Sequence, residues 1–250
     1  MSEWRDHGFV LAARPHGESA QIVELLTREH GRHLGLVRGG QSPKRRGTLQ
    51  PGNAVAALWR GRLAEHLGTL ACELMRAHAA RLIDEPDRLA GLAAAAALLS
   101  ATLPEREPHP DVFAAFAALI EALEGARDWP ARYVAWERDL LAALGFGLDL
   151  SRCAATGAVA DLAYVSPKSG RAVSRRAGLP YHDKLLPLPA FLWRAAPAAA
   201  PDLAQGLELT GYFLLRHLLA PQRRPLPPAR ALLLSRLKSR DAAARPMAER

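Results

Sequence analysis

Cysteine is nearly absent from this chain: Cys72 and Cys153 are the two present among 250 residues, and no CxxC pair occurs. That excludes a disulfide framework and fits a reducing compartment. Aromatic residues are scarce at 6%. With so few rings to stack on bases, any nucleic-acid contact is expected to lean on phosphates and to tolerate any sequence. Long apolar runs are missing too. Leu89–Leu99 is the most apolar stretch, alanine-rich and well short of the roughly 20 residues a membrane helix requires. No basic segment followed by an apolar one opens the chain, so a secretory signal is not expected and a cytoplasmic protein is.

Signatures of catalysis are also lacking. The nine histidines form no HxxxH or HExxH arrangement, and Gly39-Gly40 is not part of a GxxxxGK[ST] phosphate loop. Glu137 and Asp139 fall on a helical pattern, where they are expected to be solvated or paired with Arg132 and Arg138. Neither an enzyme nor a bound cofactor is expected from this sequence.

What the chain does have is positive charge: a formal net +8 and a sequence pI of about 10.2. Such an excess favours a polyanionic partner without dictating a fold. It is unevenly placed. Residues 1–72 carry a net +4, residues 73–140 a net −5, residues 141–215 a net +2 and residues 216–250 a net +7. Within the first segment, Arg38, Lys44, Arg45 and Arg46 occur with no acid among them. They follow the apolar stretch His33–Val37 and the break at Gly39-Gly40, and are expected to form a mobile loop that grips phosphates. The plain alternative is a solvated loop. Arg60 and Arg62 flank Gly61 and are expected to extend the basic surface. Trp59 and Phe9 sit in apolar strands and are expected in the core rather than on a stacking platform.

Five short apolar segments, Phe9–Leu11, Gln21–Leu26, His33–Val37, Val55–Trp59 and His66–Leu70, are separated by Gly, Pro and Asn. This spacing predicts a small five-stranded barrel of the OB type, although period-2 alternation is loose. Helical patterns follow. One starts at Asp84-Glu85-Pro86 and stops at Pro104. A second, from about Pro110, carries Val112, Phe113, Phe116, Leu119, Ile120 and Leu123 on one face. A third, from about Pro130, carries Tyr133, Trp136, Leu140 and Leu144 and is capped by Gly145. Residues 147–178 are Gly-, Ser- and Ala-rich with two strand-like pieces around a turn at Pro167–Gly170. Helix returns over Asp202–Leu219 and after Pro227-Pro228. The predicted class is therefore α+β. It comprises a DNA-binding OB-fold over residues 1–75, an α-helical domain over 76–146 and 179–240, a ribbon-like insert over 147–178, and a flexible tail over 241–250.

The +7 of the C-terminal segment rests on Arg216, Arg223, Arg224, Arg230, Lys238 and Arg240 among others. One reading is a second DNA surface. Another is a cationic rim around an apolar groove of Leu214, Leu215, Leu218 and Leu219, suited to an acidic peptide that ends in a hydrophobic residue. A third has those leucines facing only the core.

Four stretches carry a resemblance: GFVLAARPHGESAQIVELLTREHGRHLGLVRGG (residues 8–40), LQPGN (49–53), YVAWERDLLAALGFGLDLSRCAATG (133–157) and AYVSPKSGRAVS (163–174). In this wording and order the chain resembles the bacterial recombination-repair family RecO. The resemblance implies an N-terminal OB-fold joined to an α-helical domain, binding of single- and double-stranded DNA, and annealing of complementary strands. It further implies work with RecR, and in many bacteria RecF, to load RecA onto DNA coated by single-strand-binding protein, with nucleoid association. The acidic C-terminal tail of that coating protein would dock at Leu215, Arg216, Leu219, Arg223 and Arg224, and no hydrolysis is implied.

One departure from the family is plain. Many members hold zinc in the insert through two CxxC pairs. Here Cys153 takes the first place, Thr156 the second, and Ser174 and Ala177 the second pair, with no His between residues 147 and 178. A structural zinc site wants four soft ligands, so the ribbon is expected to persist without metal, held by packing of Leu162, Tyr164 and Val173. The alternative class is an RNA-binding OB module of translation or RNA turnover. A scaffold that contacts only proteins is a third reading.

Overall fold

The computed structural model describes residues 2–63 and 65–244, and the chain divides into two compact units. One holds Met1–Ala126 with Pro227–Arg230, the other Arg127–Leu226 with the rest of the C-terminal segment. The first unit thus runs well beyond residue 75, where the β-rich composition ends, because the next two long helices pack on the barrel.

Five strands build that barrel: β1 (Ser2–His16), β2 (Ala20–Thr27), β3 (Gly31–Val37), β4 (Ala54–Gly61) and β5 (Thr69–Arg76). Their order β1-β2-β3-β5-β4 closes with β4 back on β1, and β3–β5 is the one parallel pairing. This connectivity is the OB-fold's. Strand β1 serves both neighbours. Ser2–Phe9 pairs with β4 and Gly8–His16 with β2, and a register shift between Val10 and Ala12 bends it round the barrel corner. Alternation that is loose in sequence is clean in space: β2 and β3 bury every second residue over most of their length.

Val10, Val23, Leu25, Val37, Val55 and Trp59 fill the interior. Trp59 is completely buried and donates its indole N–H to the Leu67 carbonyl at 3.0 Å. Its bulk requires a small residue opposite: a Cβ on Gly35 would lie 2.6 Å from Leu70 and 3.3 Å from the indole. The same packing corrects the last strand. His66–Leu70 is mostly loop, because Gly68 turns at φ +61° against Trp59, and β5 begins at Thr69.

Between β3 and β4 lies a short helix, α1 (Pro43–Thr48), where a mobile loop was expected. Pro43 at its start is preset for helix, and Leu49 just after it is buried in the barrel core. After α2 (His78–Arg81), α3 (Pro86–Thr102) and α4 (Pro110–Gly125) complete the unit. Phe113 and Phe116 of α4 meet Phe9 of β1 at ring-centroid distances of 5.2 and 5.3 Å.

In the second unit, α5 (Trp129–Ala143) buries Tyr133, Trp136 and Leu140. Glu137 is also fully buried there, accepting the Thr210 hydroxyl proton, which corrects its expected solvation. Asp139 is exposed and paired with Arg138 as expected. The insert's strands β6 (Leu162–Val165) and β7 (Ala172–Ser174) are joined by β8 (Leu186–Pro187), from beyond the expected insert, in a three-stranded sheet of order β7-β6-β8, with α6 (Arg175–Gly178) following β7. The single helix expected over Asp202–Leu219 is α7 (Ala200–Phe213) continued by a π-helical turn, Leu214–Leu219. The last helix, α8 (Pro228–Ala244), runs four residues into the expected tail. The remainder of that tail lies outside the described residues.

Candidate nucleic-acid interface

The cations of α1 are held at a defined place on the barrel. Gln41 donates its backbone N–H to the Ser19 carbonyl at 3.1 Å and its side-chain amide to Gly17 and Ala20 carbonyls at 3.0 and 3.1 Å. These bonds tie the Arg38–Ser42 connection to the β1–β2 turn. Lys44, Arg45 and Arg46 are exposed on α1, and Arg38 is exposed at the end of β3. None of these four, nor the exposed Arg62, has an ion-pair partner among the described residues. Burial pushes the Cys72 thiol on β5 up to about 12, while the positive charge of nearby Arg45 works the other way. Helix α1, which carries Arg45, lies against β5. Arg60 differs from its neighbours: its Nε bonds Glu3 Oε2 at 2.6 Å. The hydrogen bond to Arg60 holds the Glu3 carboxyl below its ordinary range, so this cation already has a partner within the chain.

OB-folds commonly take single strands on the outer face of their second and third strands. Here that face is covered by the chain itself. Arg32 on β3 pairs with Glu24 on β2 at 2.7 Å and donates to the Leu103 carbonyl at 2.7 Å, while Glu24 accepts the Ser100 hydroxyl at 3.0 Å. Arg106 donates its backbone N–H to the Arg32 carbonyl at 2.8 Å and its guanidinium to the Glu65 carbonyl at 2.7 Å. Gly31, at φ +64°, admits this strap: a Cβ there would fall 2.0 Å from the Glu107 carbonyl oxygen. No pattern in the sequence announces this cover. It leaves the cationic rim, rather than the β2–β3 face, as the open basic surface.

Trp59 and Phe9 are buried, as their apolar strands imply. Sequence reading missed Trp4, which is half-buried and stacks between barrel and surface rings. His33 is buried beside it with no hydrogen-bond partner for either ring nitrogen. Burial, helped by the charges of Arg106 and His30, pulls its pKa down to about 4.

In the second unit, the expected leucine groove is largely closed. Leu214, Leu218 and Leu219 on the π turn are buried, as the core reading of these leucines expects, and of the four only Leu215 faces out, at 39% exposure. Leu219 is therefore corrected from groove wall to core. Arg216 is exposed but anchored, donating to the Pro167 carbonyl at 3.0 Å and the Tyr212 hydroxyl at 2.8 Å. Arg223 sits exposed in a left-handed turn at φ +57°, and the adjacent Arg224 is also exposed. Lys238 is paired with Glu208 at 2.6 Å, and in the first unit Arg230 is buried. Beside the π turn, Phe146, His217 and Phe213 stack in parallel at 5.0 and 5.9 Å. They line a cavity of about 180 Å³ that also receives Lys168. A small slot walled by aromatic rings and one cation is thus present beside the π turn.

Residues 1–77 match the family description "Recombination protein O N terminal", and residues 83–226 match "Recombination protein O C terminal". The chain belongs to the RecO family. It is 54% identical to the DNA repair protein RecO of Rhodospirillum rubrum, over 98% of this chain and all of that one. It is 55% identical to the DNA repair protein RecO of Rhodospirillum centenum, over 94% of this chain and 95% of the relative. A third relative of that name, from Caulobacter vibrioides, is 51% identical over 96% of this chain and 99% of its own. Membership of RecO places the chain in DNA repair and recombination.

The ribbon carries a single cysteine. Cys153 is buried, and its Sγ accepts the Ser174 backbone N–H at 3.2 Å. Burial works to raise the thiol's pKa. Hydrogen bonds from Ser174, from the Thr156 hydroxyl and from the Ala155 N–H outweigh it and bring the value down to about 6. Cys153, Thr156 and Ser174 thus still converge, but as one sulfur among hydroxyl and N–H donors. That set does not fit a tetrahedral soft-ligand site. Leu162, Val165 and Ala172 pack the sheet's buried side, while Tyr164 and Val173 are half-buried. Among the described residues, no helix is long and apolar enough to cross a membrane.

Proposed function

We propose that this chain is a non-enzymatic DNA-binding mediator of recombinational repair. It binds single- and double-stranded DNA through Arg38, Lys44, Arg45, Arg46 and Arg62, with Arg60 contributing less. The observation that carries this reading is the set of unpaired cations on α1, fixed to the β1–β2 turn rather than free in a loop. A preset row of cations neutralises phosphates without first losing side-chain and loop freedom. Lowered phosphate repulsion lets two strands meet at one protein, and base pairing then supplies specificity. Annealing needs no covalent chemistry, so no catalytic residue or cofactor enters.

RecO membership supports the finer steps. The chain works with RecR, and with RecF where present, to load RecA onto DNA coated by single-strand-binding protein, in the cytoplasm at the nucleoid. The acidic tail of the coating protein docks beside Leu215 and Arg216, its terminal hydrophobic residue entering the slot of Phe146, Phe213 and His217. Lys168 and the exposed Arg223 and Arg224 answer its acids. Strand annealing in the presence of single-strand-binding protein, with its tail intact or removed, tests the whole reading. Annealing that ignores the tail removes the docking step, and absence of DNA retardation at low salt removes the reading altogether.

A further inference from the structure

Three rings form a column from the barrel core to its surface. Trp59 is innermost, Trp4 lies parallel to it at 6.0 Å and 11°, and His30 lies on Trp4 at 4.3 Å and 11°. His33, 5% exposed, wedges edge-on against both indoles at 4.9 and 5.1 Å. One face of the His30 ring lies against Trp4, and 32% of the side chain is open to solvent.

We propose that the outer face of His30 is a nucleobase-stacking site, adding one base of a single DNA strand as the fourth ring of the column. This rests on the DNA-binding reading and extends it from phosphates to bases. The ring is already held in place for the task. Its Nδ1 lies 3.2 Å from Asp6 Oδ2, and its backbone N–H donates to Thr27 Oγ1 at 3.1 Å. Asp6 is itself fixed by the Glu29 N–H at 2.8 Å and the His7 N–H at 2.7 Å. Burial tends to raise its pKa, but these bonds and His30 keep it below the ordinary carboxylate range. A ring that does not have to be ordered on binding stacks at little entropic cost.

Cations for the flanking phosphates are at hand. Arg5 and Arg28 are exposed, and neither has an ion-pair partner among the described residues. Arg28 donates its backbone N–H to the His7 carbonyl at 3.2 Å, which fixes its turn beside β1. A groove of about 590 Å³ opens beside Arg5, its walls including His7, Ala56, Ala71 and three acids, Asp6, Glu29 and Glu73. Its three acids disfavour phosphates inside it, so the flanking phosphates fall to the exposed Arg5 and Arg28. A duplex interior offers no free base face, so the site selects unpaired strands. The His30 turn and the α1 end of the β2–β3 hairpin are about 20 Å apart along the strands. One strand can therefore span both, within the footprint of a single OB-fold.

The test compares binding of the full chain to oligothymidylate and to an abasic strand of equal length at fixed salt. Variants are His30→Ala and, to keep a ring, His30→Phe, each with a thermal melt. The wild type is expected to prefer the base-bearing strand by roughly tenfold, with His30→Ala abolishing the preference and His30→Phe restoring it. Equal binding of both strands by the wild type overturns this inference alone, as does a preference that survives in a folded His30→Ala. If the alanine variant unfolds, His30→Phe decides: a retained preference supports the site, and a lost preference with an intact melt overturns it. Failure of either strand to bind at low salt overturns the phosphate-grip reading and this inference with it.

Discussion

Arg32 donates through Nε to the Leu103 carbonyl at 2.7 Å, fastening the segment after α3 onto the outer face of β3. The same guanidinium meets Glu24, so one side chain joins two strands and a strap. Arg32→Ala leaves a largely buried carboxylate with only the Ser100 hydroxyl and is expected to cost about 2–3 kcal/mol. Arg32→Lys is expected to recover only part of this, because a point charge cannot serve two directions as a planar fork does. Urea unfolding checks both, and an unchanged midpoint for the alanine variant contradicts the strap's role.

The α1 cations make a quantitative claim on salt dependence. For single strands, the slope of log affinity against log salt is about −0.7 per phosphate contact. Replacing Lys44, Arg45 and Arg46 together by Ala is expected to flatten the slope by about 2 and weaken low-salt binding. Arg62→Ala is expected to act like the loss of one contact, and Arg60→Ala to do less, because Glu3 already answers that charge. Anisotropy titrations across a salt series measure all three.

Leu215 and Leu219 lie four residues apart and face different worlds. Leu215→Ser at the exposed position is expected to change stability by no more than about 0.5 kcal/mol while weakening capture of an acidic tail peptide. Leu219→Ala, with 0% of the side chain exposed, is expected to cost about 2–5 kcal/mol whatever the peptide. Peptide binding and denaturation run side by side separate the roles. A Leu215 variant that binds the tail normally moves the docking site elsewhere.

His33 sets a pH dependence with a definite sign. Its folded pKa of about 4 lies below the ordinary 6.5. As pH falls through 6.5 the unfolded chain takes up a proton that the folded barrel refuses, so stability declines from there towards pH 4 and levels off below it. The loss is at most about 3 kcal/mol. His33→Leu is expected to remove this component, so the variant gains on the wild type as pH falls. Urea midpoints at neutral and mildly acidic pH check it. Parallel curves for the two proteins contradict it.

Much of the architecture was legible. Short apolar runs broken by Gly and Pro gave the barrel, since strands and their turns leave local signals. The faces of α4 and α5 followed from 3.6-residue periodicity, and Phe116, Leu119, Ile120 and Tyr133 are buried on them. Other features depend on distant partners and leave no such mark. Gly68 turns because Trp59 fills the space beside it, and that delays β5 to Thr69. Glu137 is buried, and its carboxylate accepts a hydrogen bond from Thr210, 73 positions away. Which of the leucines on the π turn stays open, Leu215, depends on what packs against the other three.

By itself the sequence determined the class of partner and the kind of contact. Its cations cluster without acids, its thiols are too few for zinc, and its scarce aromatics leave phosphates as the main handle. Tertiary structure decided where those groups can act. Closing the barrel buried Trp59, and packing α3 and its strap against Glu24 and Arg32 covered the face an OB-fold usually offers. Anchoring Gln41 to the β1–β2 turn converted a run of charge into a fixed rim. Charge is a property of composition, but its availability depends on which groups the fold pairs, buries or leaves open.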